Sequence, residues 1–196
     1  MPRQIDLFAQ DRPTPDPVLP PIAGLRFVAD AISASQEAAF EALIDTAGLE
    51  PFRFGQWTGK RLTAYYGSAY DFQRGRTAPA PPLPDWLLEL RGKLAPQFGL
   101  EADALQQALL IRYDPGAGIG WHRDRPQYDQ VIGLSLGAPA VMRLRRRNAA
   151  GGFDRHRLLL PPRAAYLLGK EARDRWEHSI APLEETRRSI TFRTFR

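Results

Sequence analysis

The sequence predicts a mostly β fold with flanking helices, an α+β chain built on an antiparallel barrel or jelly roll. Two observations carry this expectation. Seven short apolar or period-two segments crowd the chain from Ala108 onward, and two helical stripes are confined to the residues before it. The length of 196 residues suits one compact domain with a real core.

The elements can be justified in order. Pro13, Pro15, Pro17, Pro20 and Pro21 stand among polar residues, so 1–22 reads as an extended tail and 23–196 as the single folded domain. Between Ser33 and Gly48, the residues Phe40, Leu43, Ile44 and Ala47 fall at helical spacing, with serine at the entry and glycine at the exit. A second helix is expected from Asp85 to Leu94, carrying Leu87, Leu90 and Leu94 on one stripe before Pro96. The aromatic, arginine, glycine and proline residues between these helices read as short strands and loops. Then come ALLIRY, QVIGLSLG, AVMRLRRR, RLLLP, AAYLLG, WEHSI and RRSITFRTF, parted by turn formers such as DPGAG and NAAGG. No internal repeat is evident.

Composition narrows the chemistry. The chain has no cysteine, so disulfides, thiolate catalysis and cysteine metal sites are excluded, and any metal must rest on nitrogen and oxygen. The N-terminus lacks a signal-type apolar core and no apolar run is long enough to cross a bilayer, which gives the expectation of a soluble, cytoplasmic protein, monomeric by default. A net charge of +5, nearly all of it arginine, favours a polyanionic partner.

The segment GWHRD places His122 and Asp124 two apart, so both would project to one face if a strand runs through them. Only His156 and His178 remain as further histidines; His156, between two arginines, reads as solvent-facing, and His178 in WEHSI is the candidate third ligand. Two histidines and a carboxylate suit non-haem Fe(II) with open positions, or zinc and hydrolysis; the donors alone leave both open. In RRSITFR the even spacing sends Arg187, Ser189, Thr191 and Arg193 to one face and Ile190 and Phe192 to the other. Arginines on the inside of a barrel need an acidic partner, which a chelating dicarboxylate would supply; the alternative is a solvated edge strand.

RYDPGAGIGWHRD, IGLSLG, WEHSI and RRSITFR, in that order over about 108–193, together resemble the AlkB family of Fe(II)- and 2-oxoglutarate-dependent dioxygenases. The resemblance implies a double-stranded β-helix (jelly-roll) core over about 108–196 with an N-terminal nucleotide-recognition lid over about 52–76. It implies Fe(II) held by His122, Asp124 and His178, with 2-oxoglutarate and O2 as cosubstrates. Arg187 would bind the distal carboxylate with Tyr113 and Thr191 assisting, and Arg193 would order the metal end. The activity implied is oxidative dealkylation of N-alkylated bases in DNA or RNA, releasing succinate, CO2 and an aldehyde. RFGQWTGKRLTAYYGSAYDF is similar to the lid of members that repair duplex DNA, which puts Phe54, Gly55, Arg61, Tyr66, Tyr70 and Phe72 at the substrate, joined by Arg125 beside the second ligand.

The chain also departs from the pattern. Ile111 stands where many members carry asparagine, and Arg125, Pro126 and Gln127 stand where repair members place acids that read an exocyclic amine. These departures leave the lesion open, with a protein or small-molecule substrate as the alternative. A non-catalytic nucleic-acid-binding barrel is disfavoured by the complete donor set. QIDLF resembles the peptide by which bacterial repair proteins bind the DNA sliding clamp, through Gln4, Leu7 and Phe8. RLRRR, Arg143 to Arg147, reads either as a phosphate-contacting ridge or as a solvated strand end.

Overall fold

The computed structural model describes residues 19–54, 57–71 and 76–196. Its strands follow the apolar alternation. β1 (Leu25–Val28) and helix α1 (Ala34–Asp45) lead into β2 (Glu50–Phe54), β3 (Trp57–Tyr66), β4 (Ser68–Asp71) and β5 (Arg76–Pro79). Helix α2 (Asp85–Leu94) precedes β6 (Leu105–Tyr113), β7 (Ile119–His122), β8 (Tyr128–Gly137), β9 (Ala140–Arg147), β10 (Phe153–Leu160) and β11 (Ala165–Leu168). A short helix α3 (Lys170–Asp174), β12 (Glu177–Ile180) and β13 (Arg187–Phe195) finish the chain.

Seven strands form one sheet in the order β1-β11-β8-β13-β6-β3-β2, four form a second in the order β10-β9-β12-β7, and β4 pairs β5 in a separate hairpin. Helix α1 starts with a reciprocal cap, since the Ser33 hydroxyl accepts from the Gln36 amide and the Gln36 side chain accepts from the Ser33 amide.

Each long strand of the large sheet sorts its residues between two cores. Leu110, Ile132, Leu134, Ile190 and Phe192 pack against Ile44 of α1 and Leu87, Leu90 and Leu94 of α2. Full burial of side chains of this size stabilises by about 1.5–3 kcal/mol each. On the other face, Val131 and Leu168 meet Met142, Leu144, Leu158 and Leu160 of the small sheet, so the two sheets pack face to face. The jelly-roll expectation holds, with helices covering one side.

Gly133 is required by that packing. A Cβ there would lie 2.3 Å from the Tyr166 ring, so the absence of a side chain on β8 is what lets Tyr166 lie across the sheet.

Several boundaries differ from the sequence expectation. Ile22 is buried with the inter-sheet core, so the folded part reaches past residue 23 toward the N-terminus. β1 and α3 carry no periodicity long enough to announce themselves in sequence. The strand expected to run through His122 and Asp124 ends at His122, leaving Asp124 in the following loop.

Candidate active site

A cavity of about 1120 Å3 lies between the sheets. Its floor is the inward face of β13, where Arg187, Ser189, Thr191 and Arg193 all line it, as the even spacing predicts. Its other wall comes from the small sheet. β12 pairs β7 with His178 directly opposite His122, and the two rings sit 4.2 Å apart between centroids.

Although Asp124 is off the strand, its Oδ2 reaches within 3.8 Å of His178 Nε2. That is too long for a hydrogen bond. It is within the separation of two donors each about 2.1 Å from one ion, which is roughly 3–4.2 Å. His122 Nδ1 lies 2.9 Å from the Gly120 carbonyl, so Nδ1 carries the proton it donates and Nε2 is left with its lone pair.

Burial pushes His122 below the usual histidine range, and it pushes His178 down to about 3, with the neighbouring His122 adding to the effect. Both rings are therefore neutral donors. Burial alone would raise the Asp124 carboxyl, but Arg193 first and then His178 and His122 hold it well below the ordinary range. Two neutral imidazoles and one carboxylate fit a divalent ion chemically. Among the described residues no three such side chains are already closed into a metal cage, so binding would draw these donors together.

Arg193 is fully engaged. Its Nε and Nη2 each lie 2.8 Å from Asp124 Oδ1, and Nη1 donates to Gln107 Oε1 at 2.8 Å. Arg187 is not. It is 1% exposed, donates only a 3.3 Å bond from Nε to the Ser135 hydroxyl, and leaves Nη1 buried without a hydrogen-bond partner. No carboxylate among the described residues lies within ion-pair distance of it. Its guanidinium sits 5.3 Å from the centre of the Tyr113 ring, its cross-strand neighbour on β6. A buried guanidinium without an anion is costly, so this end of the cavity is suited to an incoming carboxylate.

The rim also has a chemical character. Arg61 stacks 3.8 Å over the Phe52 ring, and burial lowers its affinity for a proton without neutralising it. Arg125 borders the cavity. Tyr66 is a correction: it packs with the helix-side core, and its neighbour Tyr65 lines the cavity, because alternate residues of β3 face opposite ways. His156 is also corrected, since its ring lies 5.3 Å from Trp176 and is half-buried.

Phe54 and Tyr70 belong to β2 and β4, which place their backbones at the hairpins of the expected lid. Gly55, Phe72, Gln4, Leu7 and Phe8 lie outside the described residues. Sequence reasoning missed Gln107, Ser135 and Tyr166. The first two were findable as polar residues on apolar strands, whereas Tyr166 gives no such signal.

The 2OG-Fe(II) oxygenase superfamily matches residues 45–193 of the chain, a span that contains every residue of this cavity described above. The chain belongs to that superfamily, within its AlkB family. It is 30% identical over 176 residues to the Xenopus tropicalis tRNA (carboxymethyluridine(34)-5-O)-methyltransferase alkbh8, covering 85% of this chain and 26% of that protein. It is 27% identical over 223 residues to the Escherichia coli (strain K12) alpha-ketoglutarate-dependent dioxygenase AlkB, covering 96% of this chain and 97% of that one. The chain spans about half the length or less of the first curated relatives it matches. Among solved structures, OsALKBH1 superposes with a TM-score of 0.63 at 15% identity, covering 87% of this chain and 98% of that one, a likeness of fold. As an AlkB-family dioxygenase the protein uses Fe(II), 2-oxoglutarate and O2.

Proposed function

We propose that this dioxygenase removes alkyl groups from ring or exocyclic nitrogens of nucleobases in DNA or RNA. One observation carries the reading. The cavity runs from the unpaired Arg187 past His122, Asp124 and His178 to a rim of arginines against aromatic rings, the combination that meets a base and its phosphates. Two relatives lend support by name, one a tRNA methyltransferase and one, from Arabidopsis thaliana, an alkylated DNA repair protein homolog.

In this reading His122, Asp124 and His178 hold Fe(II), which when bound supplies the activation of O2 coupled to oxidation of 2-oxoglutarate. Arg187 receives the distal carboxylate of the oxoacid, and Tyr113 and Thr191 shape its bed. Arg193 acts through Asp124, fixing the carboxylate while Gln107 fixes Arg193. The target base is extruded or already unpaired so that its alkyl carbon can enter.

One oxygen atom of O2 leaves in succinate as CO2 is lost. The other becomes the hydroxyl on the alkyl carbon, and the resulting N–CH2OH splits into the restored N–H and formaldehyde. Phe54, Gly55, Arg61, Tyr70, Phe72 and Arg125 are assigned to the substrate side. The Gln4, Leu7 and Phe8 peptide is assigned to a sliding clamp, a role that Leu7→Ala with Phe8→Ala should abolish in co-elution without loss of turnover.

The experiment is aerobic turnover with Fe(II) and 2-oxoglutarate on N-alkylated single- and double-stranded DNA and RNA, following succinate and each adduct by mass spectrometry. Adduct-dependent succinate with restored base is expected. Succinate with no base restored on any nucleic acid would reject the reading and direct attention to protein or small-molecule substrates.

A further inference from the structure

The two faces of the small sheet are chemically opposite. His122, His178 and Leu144 stand in register across β7, β12 and β9 and face inward. The alternate residues lie on the opposite face: Trp121 and Glu177, which also border the cavity at its edge, Ser179, buried and accepting from Arg143 Nε, and Arg143, Arg145 and Arg147 on β9. β10 continues this face. Arg157 lies directly opposite Arg143, Arg155 opposite Arg145, and Phe153 opposite Arg147.

Like charges placed directly opposite on one face of an antiparallel pair are destabilising. Two such pairs stand side by side here, and the only carboxylate that meets any of the five guanidinium groups among the described residues is Glu177, 2.6 Å from Arg145 Nε. Arg146, on the inward face, is already held by Glu171 and Asp154.

Free side chains with this repulsion would splay into water. Four of them are instead gathered on two rings. Arg143 and Arg145 lie 5.3 and 4.3 Å from the Trp121 centroid, and Arg145, Arg147 and Arg155 lie 4.7, 5.1 and 5.3 Å from that of Phe153. The rings hold the guanidiniums in place; Arg143 and Arg145 donate from Nε to Ser179 and Glu177, and Arg155 from Nη1 to the Phe153 carbonyl. Further N–H donors remain on each, at steps of about 6.8 Å along β9. A neighbouring cavity of about 590 Å3, bordered by Arg145, Arg147 and Phe153, shares Arg123, Asp174 and Glu177 with the large cavity.

We propose that this outer face binds the phosphodiester backbone of a single nucleic-acid strand, the continuation of the strand whose base enters the cavity. Charge complementarity identifies the occupant: a row of fixed cations matches a row of phosphates. The two arginine rows stand on neighbouring strands, close enough together to follow one backbone. The inference rests on nucleic acid being the substrate and extends that reading to a second surface beyond the reacting base.

The test uses the whole protein and a variant combining Arg147→Ser, Arg155→Ser and Arg157→Ser, none of which lines the large cavity. Binding of fluorescein-labelled oligothymidylate, followed by anisotropy across a salt series, should weaken by about tenfold or more. Its log–log salt slope should become shallower by about 2, the equivalent of three single-strand phosphate contacts. Succinate formed without a base substrate should be unchanged, which certifies the fold of the variant.

If the wild-type protein binds the oligonucleotide and the variant does so with the same affinity and slope, this proposal fails while the nucleic-acid reading survives. If the wild-type protein binds no oligonucleotide, both fail. Binding to duplex alone would also overturn the assignment of a single strand.

Discussion

Arg187 and Arg193 stand six residues apart on one face of one strand, both buried, and their surroundings differ in one respect. Arg193 is neutralised from within, by the Asp124 carboxylate at 2.8 Å and by Gln107. Arg187 has a hydroxyl, an aromatic ring and a buried Nη1 without a hydrogen-bond partner. The first arrangement is complete as folded; the second is complete only with an anion from outside. The same residue type, at the same depth on the same strand, thus serves the protein's own architecture at one end of the cavity and a ligand at the other.

The largest effect should follow from breaking the completed end. Arg193→Met leaves Asp124 as an unpaired buried carboxylate, so the metal-free protein should lose about 3–5 kcal/mol of stability in chemical denaturation. A divalent ion neutralises the same carboxylate. Adding Mn(II), a redox-inert stand-in for Fe(II), should recover much of the loss in the variant. Equal destabilisation with and without the ion would mean that Arg193 supports packing and not Asp124.

Arg187→Met should behave in the opposite sense. It removes a cation that no protein carboxylate balances, so stability should hold or rise. The KM for 2-oxoglutarate should increase by roughly 10²-fold, the equivalent of about 3 kcal/mol for a lost buried charge pair. Saturating 2-oxoglutarate should stabilise the wild-type protein by about 2.7 kcal/mol at a hundred times its Kd, and the variant by only about 0.4 kcal/mol at the same concentration. A variant that unfolds as readily as Arg193→Met would erase the distinction between the two ends.

This distinction was only half legible in the sequence. The period of β13 fixed which side chains share a face, and burial of Ile190 and Phe192 decided which face is the cavity. That Arg193 pairs with Asp124 was not legible, because Asp124 leaves its strand after His122 and its position depends on how that loop folds back. The partner Gln107 was hidden for a related reason: the Arg193–Gln107 register belongs to a pairing between strands far apart in the chain. Tyr66 shows the opposite failure. A run of two tyrosines offers both faces of β3, and only the register with β6 selects Tyr65 for the cavity. The helices were easier, since their stripes, and for α1 its serine cap, are local signals.

The smallest expected effect sharpens the comparison at the Arg193 end, where the donors beside Asp124 are held neutral. In the unfolded chain a histidine takes up its proton near pH 6.5. In the fold, burial together with His122 pushes His178 down to about 3. Between these values the unfolded state binds the proton and the native state does not, so stability is present above about pH 6.5 and is lost as pH falls toward 3. The slope for one such group is about 1.4 kcal/mol per pH unit, or about 2 kcal/mol between pH 6.5 and 5. His122, lowered by burial as well, acts in the same direction, and Asp124 enters only below the ordinary carboxylate range. Urea denaturation of the metal-free protein at pH 7, 6 and 5 measures the loss, and His178→Leu should flatten it. A wild-type profile already flat over that range would mean that the histidines meet water in the folded state, and that the metal end of the cavity is not the desolvated donor set described above.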